Sequence, residues 1–339
     1  MKVLILGGTG LISTATTREF LTRGDDVTLY NRGKTPARFP AGAKVIVGDR
    51  NDFGGFEKQM AEQGNYDCVI DMICFTKAQA ESDIRAFQGK TGHFIFCSTV
   101  NVYTKPAPSY PVREDFPRVP IDDDYGTKKV ECEDTFLAAQ AHGVFPVTIL
   151  RPAQTYGEGG VLIHTFGWST TYIDRIRKGK PIIVHGDGNS LWNPCHVDDV
   201  GHAFVAAAGN SMAFGKAYNT TGEEVITWNQ YSERVAIALG APSPKIVHIP
   251  TDLLVKLSPE RCMITYNNFQ GNNVYDNSAA RRDIDFRYSV SWVEGVKRTV
   301  AWLDANHRIE NSDEDPFDDQ VIEAWEKYTS QMLAEIKSS

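Results

Sequence analysis

Residues 2–13 read KVLILGGTGLIS and decide the fold of the first part of the chain. Lys2–Leu6 is an apolar run of strand length, and a helical pattern begins at Leu11 directly after a glycine turn. In that setting the glycines at 7 and 10 permit a tight turn and let the backbone approach a pyrophosphate. The helix that follows offers unpaired N–H groups and the positive end of its dipole. The stretch therefore predicts a dinucleotide site; a plain glycine turn is the alternative.

Short β-rich runs alternate with helical patterns through the first 150 residues. The predicted strands are Lys2–Leu6, Asp26–Tyr30, Lys44–Val47, Cys68–Ile70, His93–Cys97 and Pro146–Leu150. The predicted helices are Leu11–Leu21, Phe53–Gln63, Lys77–Phe87 and Tyr125–Ala141. Apolar strands separated by helices indicate a parallel sheet that is covered on both faces. We therefore predict an α/β fold, a doubly wound parallel Rossmann sheet whose ligand lies at the carboxyl ends of the strands.

The regular alternation of strands and helices ends after Arg151-Pro152, where segments with glycine, proline and aromatic residues come between the helices. We place an NAD(P)-binding domain at residues 1–155, completed by parts of the later chain, and a smaller C-terminal α/β substrate region at residues 156–339. The closing segment predicts a helix that docks on the body through one apolar face. This face consists of Val321, Trp325, Tyr328, Met332 and Ile336.

The composition is that of an ordinary globular chain of 339 residues, with 42% hydrophobic and 23% charged residues. A formal net charge of −8 argues against nucleic acid bound through a basic surface, although it does not exclude a local basic patch. The six cysteines form no C-x-x-C pair, so we expect free thiols in a reducing compartment and no metal site. No apolar run approaches the roughly 20 residues of a membrane span. We therefore expect a cytoplasmic protein without membrane contact.

The end of the second strand determines the expected choice of cofactor. An acidic residue there would bond a ribose 2′-hydroxyl, whereas this chain has Asn31 and Arg32. Asn31 removes the repulsion that a 2′-phosphate would meet and Arg32 could bind it, so we expect NAD(P) with a preference for NADP; alternatively, Arg32 stacks on the adenine. Asp49 either bonds the adenine amino group or caps the third strand. The predicted cofactor residues are Gly7, Thr9, Gly10, Leu11, Ile12, Asn31, Arg32, Asp49, Arg50, Met72, Lys129 and Pro152.

Tyr125 and Lys129 stand four residues apart in a helical pattern, so they share one face of the helix. A lysine cation beside a phenol favours the phenolate and lowers the phenol pKa from its reference value of about 10. Such a group can act as a general acid/base near neutral pH on a hydroxyl or carbonyl. Tyr30 and Lys34 repeat the spacing, but Tyr30 ends a predicted strand and a loop follows. The pair at 125 and 129 is therefore the catalytic candidate.

Together these features resemble the extended short-chain dehydrogenase/reductase family, the NAD-dependent epimerases and dehydratases and their atypical relatives. The resemblance covers nearly the whole chain and rests on Gly7-x-x-Gly10, Asp49, Ser98–Tyr103, Tyr125-x-x-x-Lys129, Arg151-Pro152, Gly186-Asp187-Gly188 and His196–Val200. It implies that Tyr125 is the general acid/base and that Lys129 lowers its pKa and holds the nicotinamide ribose. It also implies that the Thr99 hydroxyl bonds the reacting substrate oxygen. A strand-end hydroxyl bonded to backbone is the alternative for Thr99.

Two departures from the family pattern bear on the reaction and the substrate. Relatives that dehydrate sugars follow the threonine with an Asp-Glu pair, whereas Val100 and Asn101 cannot shuttle the proton for loss of water. Nucleotide-sugar enzymes often carry an arginine for the diphosphate where this chain has Trp192. The pattern therefore disfavours a dehydratase and a UDP-sugar, and it favours a smaller polyol, sugar or sugar acid. The predicted substrate residues are Thr99, Asn101, Tyr125, Gln154 and Trp192.

The expected function is that of an NAD(P)-dependent epimerase or oxidoreductase, with hydride transfer at a carbinol carbon of a small sugar-like substrate. One alternative is a catalytically idle protein of the same fold that binds RNA or protein. The Asn31–Lys34 turn and the Trp192 segment also resemble the atypical branch that includes chloroplast stem-loop RNA-binding proteins. Another alternative is a sensor of NADP(H). By analogy with this fold, a homodimer would pair the helices at Lys77–Phe87 and Tyr125–Ala141.

Overall fold

The computed structural model describes residues 1–39, 41–120 and 123–338. The strands are β1 Lys2–Leu6, β2 Asp26–Asn31, β3 Lys44–Val47, β4 Cys68–Asp71, β5 Phe94–Cys97, β6 Val147–Pro152, β7 Thr155–Tyr156, β8 Ile182–His185, β9 Leu191–Trp192, β10 Cys195–His196, β11 Lys216–Thr220, β12 Ile226–Thr227 and β13 Ile246–Ile249. The α-helices are α1 Leu11–Arg23, α2 Phe53–Ala61, α3 Lys77–Phe87, α4 Asp124–Ala141, α5 Thr171–Arg177, α6 Val197–Ala207, α7 Trp228–Leu239, α8 Thr251–Leu257, α9 Pro259–Ile264, α10 Ser278–Ile284, α11 Trp292–Ala305 and α12 Phe317–Ser338.

The chain forms two compact units. The first unit comprises Met1–Tyr156, Asn193–Glu224 and Val274–Ser291, and the second contains the rest of the described chain. The first unit is thus discontinuous in sequence. None of the helices in residues 1–39, 41–120 and 123–338 is both long enough and apolar enough to cross a lipid bilayer.

A seven-stranded parallel sheet forms the centre of the first unit, in the order β11-β6-β5-β4-β1-β2-β3. The chain winds from β1 to β3 in one direction and from β4 outward in the other, which confirms the predicted doubly wound arrangement. The predicted elements agree with the observed ones to within two residues at each end. β11 is not predicted from the sequence, because only two of its five residues (KAYNT) are apolar. Pairing with β6 makes this segment a strand.

Both faces of the sheet are buried under helices. Val3 and Ile5 of β1 belong to a core cluster with residues of α1, α6 and α10, whereas Leu4 and Leu6 belong to one with residues of α2, α3 and α4. All four side chains are fully buried. Burying an aliphatic side chain of this size contributes about 1.5–3 kcal/mol. This two-sided burial is the reason that the strands are apolar throughout instead of alternating.

The second unit contains two small sheets and a cluster of aromatic rings. β8 pairs with β13 in parallel, and β9 pairs with β12 in antiparallel orientation. Trp192 on β9 lies 5.1 Å from Trp228 and 5.2 Å from Phe269, measured between ring centroids. Only 4% of Trp192 is exposed. Its ring is therefore part of the hydrophobic core of this unit.

The C-terminal helix α12 begins in this core and continues into solvent. Val321 and Ile322 are buried, and Trp325 packs partly buried against the same cluster. The rest of the predicted apolar face is exposed, with exposed fractions of 61% for Tyr328 and 67% for Ile336. The prediction that the whole face docks on the body is therefore wrong for its second half. Helical spacing identifies an apolar face, but it does not say what covers it.

Two isoleucines on α12 provide a matched test of this arrangement. Ile322→Ala should lower the free energy of unfolding by about 2–5 kcal/mol, because it removes a buried side chain from the core. Ile336→Ala should change it by less than about 0.5 kcal/mol, because that side chain lies in solvent. Urea unfolding of the two variants measures both values, and equal destabilisation would contradict the described burial of α12.

Candidate functional site

A cavity of about 730 Å³ lies at the carboxyl ends of the strands of the first unit. Its wall is formed by residues at the ends of β1 to β6 and in the loops that follow them. All twelve residues predicted for the cofactor line it, and so do Thr99 and Tyr125. The wall also includes residues that are not among the predicted site residues, such as Phe75, Cys97 and Ser98. They end or follow β4 and β5, so their positions at strand ends could have identified them.

The glycine turn after β1 fits a pyrophosphate. Gly7 and Gly8 have φ angles of +107° and +82°, and a Cβ atom on Gly8 would come within 2.7 Å of Leu29 Cδ2. Gly10 has φ −77°, so Gly8 and not Gly10 shares the predicted turn with Gly7. Gly10 is instead the N-cap of α1 and has no side chain to accept bonds from the first N–H groups of that helix. These N–H groups are therefore available for phosphate oxygens.

The loop after β2 brings positive charge to the same cavity. Asn31 Oδ1 accepts a hydrogen bond from the Gly33 N–H at 2.8 Å, which closes the turn. Arg32 and Lys34 are exposed and line the cavity. Asp49 Oδ1 accepts a hydrogen bond from the Asn51 N–H at 2.9 Å. This is the strand-end cap given above as an alternative for Asp49, and it engages one of the two carboxylate oxygens.

Arg50 lines the cavity, but its charge is used inside the protein. The residue is 4% exposed, and its Nη1 and Nη2 atoms donate to the two oxygens of Asp83 at 2.8 and 2.7 Å. Nη2 also lies 3.1 Å from Asp71 Oδ2 and donates to the Gln79 carbonyl at 2.8 Å. Arg50 lies in the cavity wall as expected for a residue near the cofactor, but its guanidinium pairs with two buried carboxylates.

Helix α4 brings Tyr125 and Lys129 to the cavity. Asp123 caps the helix by accepting a hydrogen bond from the Gly126 N–H at 2.9 Å. A Cβ atom on Gly126 would lie 2.4 Å from the Asn101 carbonyl oxygen, so glycine lets the first turn approach the loop that carries Thr99. Lys129 follows one turn later and is 1% exposed.

The Lys129 ammonium is anchored to the loop after β4 and to the end of β5. Its Nζ donates to the Cys74 carbonyl at 2.8 Å and to the Cys97 carbonyl at 2.7 Å. It also lies 4.7 Å from the centre of the Phe75 ring and 5.8 Å from that of Tyr125. An ammonium has three donors, so one is left for a ligand hydroxyl. This arrangement fits a lysine that holds a ribose.

The pKa of Tyr125 differs from the expectation. Although 43% of Tyr125 is exposed, burial of its hydroxyl in the cavity wall raises the pKa well above the ordinary value of a phenol. The Cys97 thiol raises this pKa further, and a hydrogen bond with the Thr99 side chain acts against the rise. The prediction that Lys129 lowers the pKa of Tyr125 is therefore wrong for this structure. The lysine charge is instead compensated by the two carbonyls.

Three of the predicted substrate residues do not line the cavity. Thr99 does, and its Oγ1 accepts a hydrogen bond from the Asn101 N–H at 3.2 Å, which is the bond to backbone given above as the alternative for Thr99. The Asn101 side chain accepts a hydrogen bond from Lys105 at 3.0 Å. Gln154 lies between β6 and β7, and its carbonyl pairs with the Cys195 N–H. Trp192 lies in the aromatic core described above, so its ring faces are covered by protein and not offered to a sugar.

A buried carboxylate joins the elements that carry these residues. Glu133, two turns after Tyr125 on α4, has no exposed surface. It accepts hydrogen bonds from Ser98 Oγ at 2.5 Å, from Arg118 Nη1 at 2.8 Å and from two nitrogens of Arg151 at 2.7 and 2.9 Å. Ser98 follows β5 and precedes Thr99, and Arg151 lies at the end of β6. The network therefore fixes α4 against both strand ends.

The comparison with known proteins agrees with this arrangement. The sequence profile of the NAD dependent epimerase/dehydratase family matches residues 3–220. The chain belongs to this family.

A relative, 2′-dehydrokanamycin reductase from Streptomyces kanamyceticus, is 28% identical over 242 residues, which cover 71% of this chain and 68% of the relative. The chloroplast stem-loop binding protein of 41 kDa b from Arabidopsis thaliana is 29% identical over 260 residues, which cover 73% of this chain and 65% of that protein. The chain thus spans about two thirds of each relative.

Solved structures of the epimerase/dehydratase family share the fold. The structure of UDP-glucuronic acid 4-epimerase from Bacillus cereus in complex with NAD superposes with a TM-score of 0.71 at 19% identity, over 91% of this chain and 100% of that one. Family membership implies an NAD-dependent oxidoreductase or epimerase. The glycine turn and the anchored lysine are groups that an NAD(P) molecule requires, and they lie in one cavity.

Two glutamates on α4 provide a test of the buried network. Glu133→Gln removes the charge that faces Arg151 and should lower the free energy of unfolding by about 3–5 kcal/mol, because an unpaired guanidinium stays buried. Glu131→Gln changes an exposed carboxylate on the same helix and should cost less than about 0.5 kcal/mol. Thermal or urea unfolding measures the difference, and similar stability of the two variants would refute the role assigned to Glu133.

Proposed function

We propose that the protein is an NAD(P)-dependent epimerase or oxidoreductase that acts at a hydroxyl-bearing carbon of a sugar-type substrate. One observation carries the proposal: Tyr125 and Thr99 line the cavity that also contains the glycine turn, and Tyr125 lies one helical turn before the anchored Lys129. A phenol, a hydroxyl and an ammonium in this order suit proton transfer to or from a substrate oxygen.

Each residue has a distinct part in the proposed reaction. Tyr125 accepts the proton of the substrate hydroxyl during oxidation and returns it during reduction. Thr99 donates a hydrogen bond to the same substrate oxygen and holds it within reach of Tyr125. Lys129 uses its third donor for the nicotinamide ribose and so fixes the position of the cofactor relative to Tyr125. A bound NAD(P) supplies the hydride exchange at the carbinol carbon.

A dehydratase is disfavoured in this proposal. Val100 is an aliphatic residue, and the Asn101 amide is neither an acid nor a base near neutral pH. The amide oxygen of Asn101 is also engaged by Lys105. The proposed substrate is a small sugar, polyol or sugar acid, because the position of a diphosphate-binding arginine is occupied by the buried Trp192.

The choice between epimerase and oxidoreductase depends on whether the cofactor leaves. An epimerase returns its hydride to the same substrate molecule, so it keeps the cofactor, whereas an oxidoreductase exchanges it in every turnover. The protein should be purified without added nucleotide and denatured, and the released dinucleotide identified by mass spectrometry. Near-stoichiometric NAD⁺ supports the epimerase and contradicts the preference for NADP. A protein that releases none and binds NADPH more tightly than NADH supports the oxidoreductase.

RNA binding is a second candidate, favoured by the similarity to the chloroplast stem-loop binding protein. Non-specific RNA binding depends on phosphate neutralisation and is therefore strongly salt-dependent. The net charge of −8 acts against it. Salt-sensitive retention of a stem-loop RNA, combined with no effect of Tyr125→Phe on any measured property, would favour this candidate over the enzyme.

Removal of the Tyr125 hydroxyl tests the proposed acid/base. Tyr125→Phe should lower turnover about 10²–10⁴-fold, because general acid–base catalysis contributes a factor of that size. Nucleotide affinity should stay within a factor of about two, because Lys129 and the glycine turn are unchanged. The readouts are NADPH absorbance or product analysis for turnover and fluorescence titration for affinity. Tyr328→Phe, in the exposed part of α12, is the control and should leave both unchanged. A Tyr125→Phe variant that keeps more than about a tenth of turnover would contradict the mechanism.

The pH dependence gives a second readout of Tyr125. Because burial raises its pKa, the deprotonated fraction below that pKa increases about tenfold with each pH unit. Oxidation needs the phenolate, so kcat/KM for oxidation should rise with pH. Reduction needs the phenol, so kcat/KM for reduction should not rise. An oxidation profile that is already flat from about pH 6 upward would show that Tyr125 is not the base or that its pKa is not raised.

A conservative change at Asn31 tests the proposed preference for NADP. Asn31→Asp keeps the oxygen that accepts the Gly33 N–H, so the turn is preserved. The new carboxylate repels a 2′-phosphate, and the dissociation constant for NADPH should rise about tenfold or more. The dissociation constant for NADH should stay the same or fall. Isothermal titration with both nucleotides measures the ratio, and parallel changes would exclude a 2′-phosphate contact near Asn31.

A further inference from the structure

Two buried cysteines from different elements face each other behind the Lys129 side chain. Cys74 Sγ, in the loop after β4, donates a hydrogen bond to Cys132 Sγ on α4, and the two sulfur atoms are 3.8 Å apart. Both residues have no exposed surface, and all six cysteines are free thiols. The S–S bond of a disulfide is about 2.05 Å long, so the sulfur atoms need to approach by about 1.8 Å. That distance is within the reach of small side-chain and backbone movements.

The pair is connected to the cavity on both sides. Ile73 and Phe75, the chain neighbours of Cys74, line the cavity wall. The Cys74 carbonyl is one of the two acceptors of the Lys129 ammonium. Cys132 lies three residues after Lys129, on the next turn of α4. A covalent bond between the sulfur atoms therefore pulls on the backbone that holds Lys129.

The two thiols differ in their readiness to react. The hydrogen bond from Cys74 and the nearby Lys129 charge lower the pKa of the Cys132 thiol, against the effect of burial. Burial raises the pKa of the Cys74 thiol, and the carboxylates of Asp71 and Asp83 raise it further. The thiolate is the nucleophile in cysteine oxidation. These directions favour Cys132 as the first thiol to react once local opening of the loop after β4 admits peroxide, and Cys74, 3.8 Å away, is placed to attack it afterwards.

We propose that Cys74 and Cys132 form an oxidative modification site, in which a peroxide converts them to a disulfide that weakens NAD(P) binding by displacing Lys129. The Cys132 thiolate attacks one oxygen of hydrogen peroxide and takes it up as a sulfenic acid, while the other oxygen leaves as water. The Cys74 sulfur then attacks the sulfenic sulfur, and a second water leaves. The two thiols lose two electrons and two protons, and the peroxide is reduced to two molecules of water.

The consequence for the cofactor follows from the position of Lys129. Shortening the distance between the sulfur atoms moves the Cys74 carbonyl relative to α4, so the ammonium loses its present geometry and the direction of its third donor changes. A hydrogen bond from a charged group contributes about 1.5–3 kcal/mol. Its loss should raise the dissociation constant of NADPH about tenfold or more. The inference rests on NAD(P) binding and not on the proposed reaction.

Peptide mapping of the full chain tests the disulfide directly. The protein is treated with hydrogen peroxide, alkylated and digested with trypsin without reductant. A linked pair is expected between the peptide of residues 59–77 and the peptide that begins at Val130, two hydrogen masses below their sum. The first peptide also contains Cys68, so Cys68→Ala is the matched control and must keep the link. Cys132→Ala and Cys74→Ala must each abolish it. Absence of the linked pair in the wild-type protein overturns the proposal.

Two further measurements test the effect on the cavity. Fluorescence titration should give a tenfold or greater rise in the NADPH dissociation constant after oxidation, reversed by dithiothreitol and absent from Cys132→Ala. Hydrogen exchange should increase in residues 97–99 and 124–132 of the oxidised protein, and this readout needs no nucleotide. It therefore separates failure of the proposal from a protein that binds neither NADPH nor NADH. A linked protein with unchanged exchange in these segments, or an equal loss of affinity in Cys132→Ala, refutes the displacement of Lys129.

Discussion

The ion pair between Glu133 and Arg151 controls the geometry of the site, because both charges are buried and neither can turn toward water. Transfer of such a pair into a protein core is unfavourable unless every hydrogen-bonding atom finds a partner. Here both carboxylate oxygens accept bonds, and Ser98 and Arg118 complete the set. The pair thereby connects α4 with the ends of β5 and β6. Residues on three separate elements are held in one arrangement as a result.

The electrostatics of the cavity are set by backbone carbonyls and burial more than by contact between its charged side chains. Lys129 gives two of its donors to the carbonyl of Cys74, in the loop after β4, and to the carbonyl of Cys97, at the end of β5. Tyr125 is left with a raised pKa because the cavity wall covers its hydroxyl. The Lys129 ammonium is therefore held by backbone carbonyls, whereas desolvation controls the acidity of Tyr125.

The sequence predicts the sheet and the cavity well, because both depend on local patterns. Continuous apolar strands, a glycine turn and four-residue helical spacing each have one physical cause, and they identify residues that the structure brings to one cavity. The predictions from the sequence are wrong where contacts with residues distant in sequence determine the structure. β11 is a strand only through pairing with β6, and the charge of Arg50 is consumed by Asp83, a residue on another element. The sequence likewise cannot tell that Trp192 packs in a core and that the end of α12 is exposed.

The discontinuity of the first unit has a consequence for how the chain folds as it is made. A growing chain that has reached Tyr156 possesses β1 to β6, but β6 is then an open edge with unpaired N–H and C=O groups. The core cluster around Val3 and Ile5 also lacks its partners on α6, β11 and α10, which end at Ile284. Folding therefore depends on contacts between residues far apart in sequence, which form slowly. Until the chain passes this point, the sheet presents an apolar surface and a free edge, the two features that lead to misassembly during synthesis.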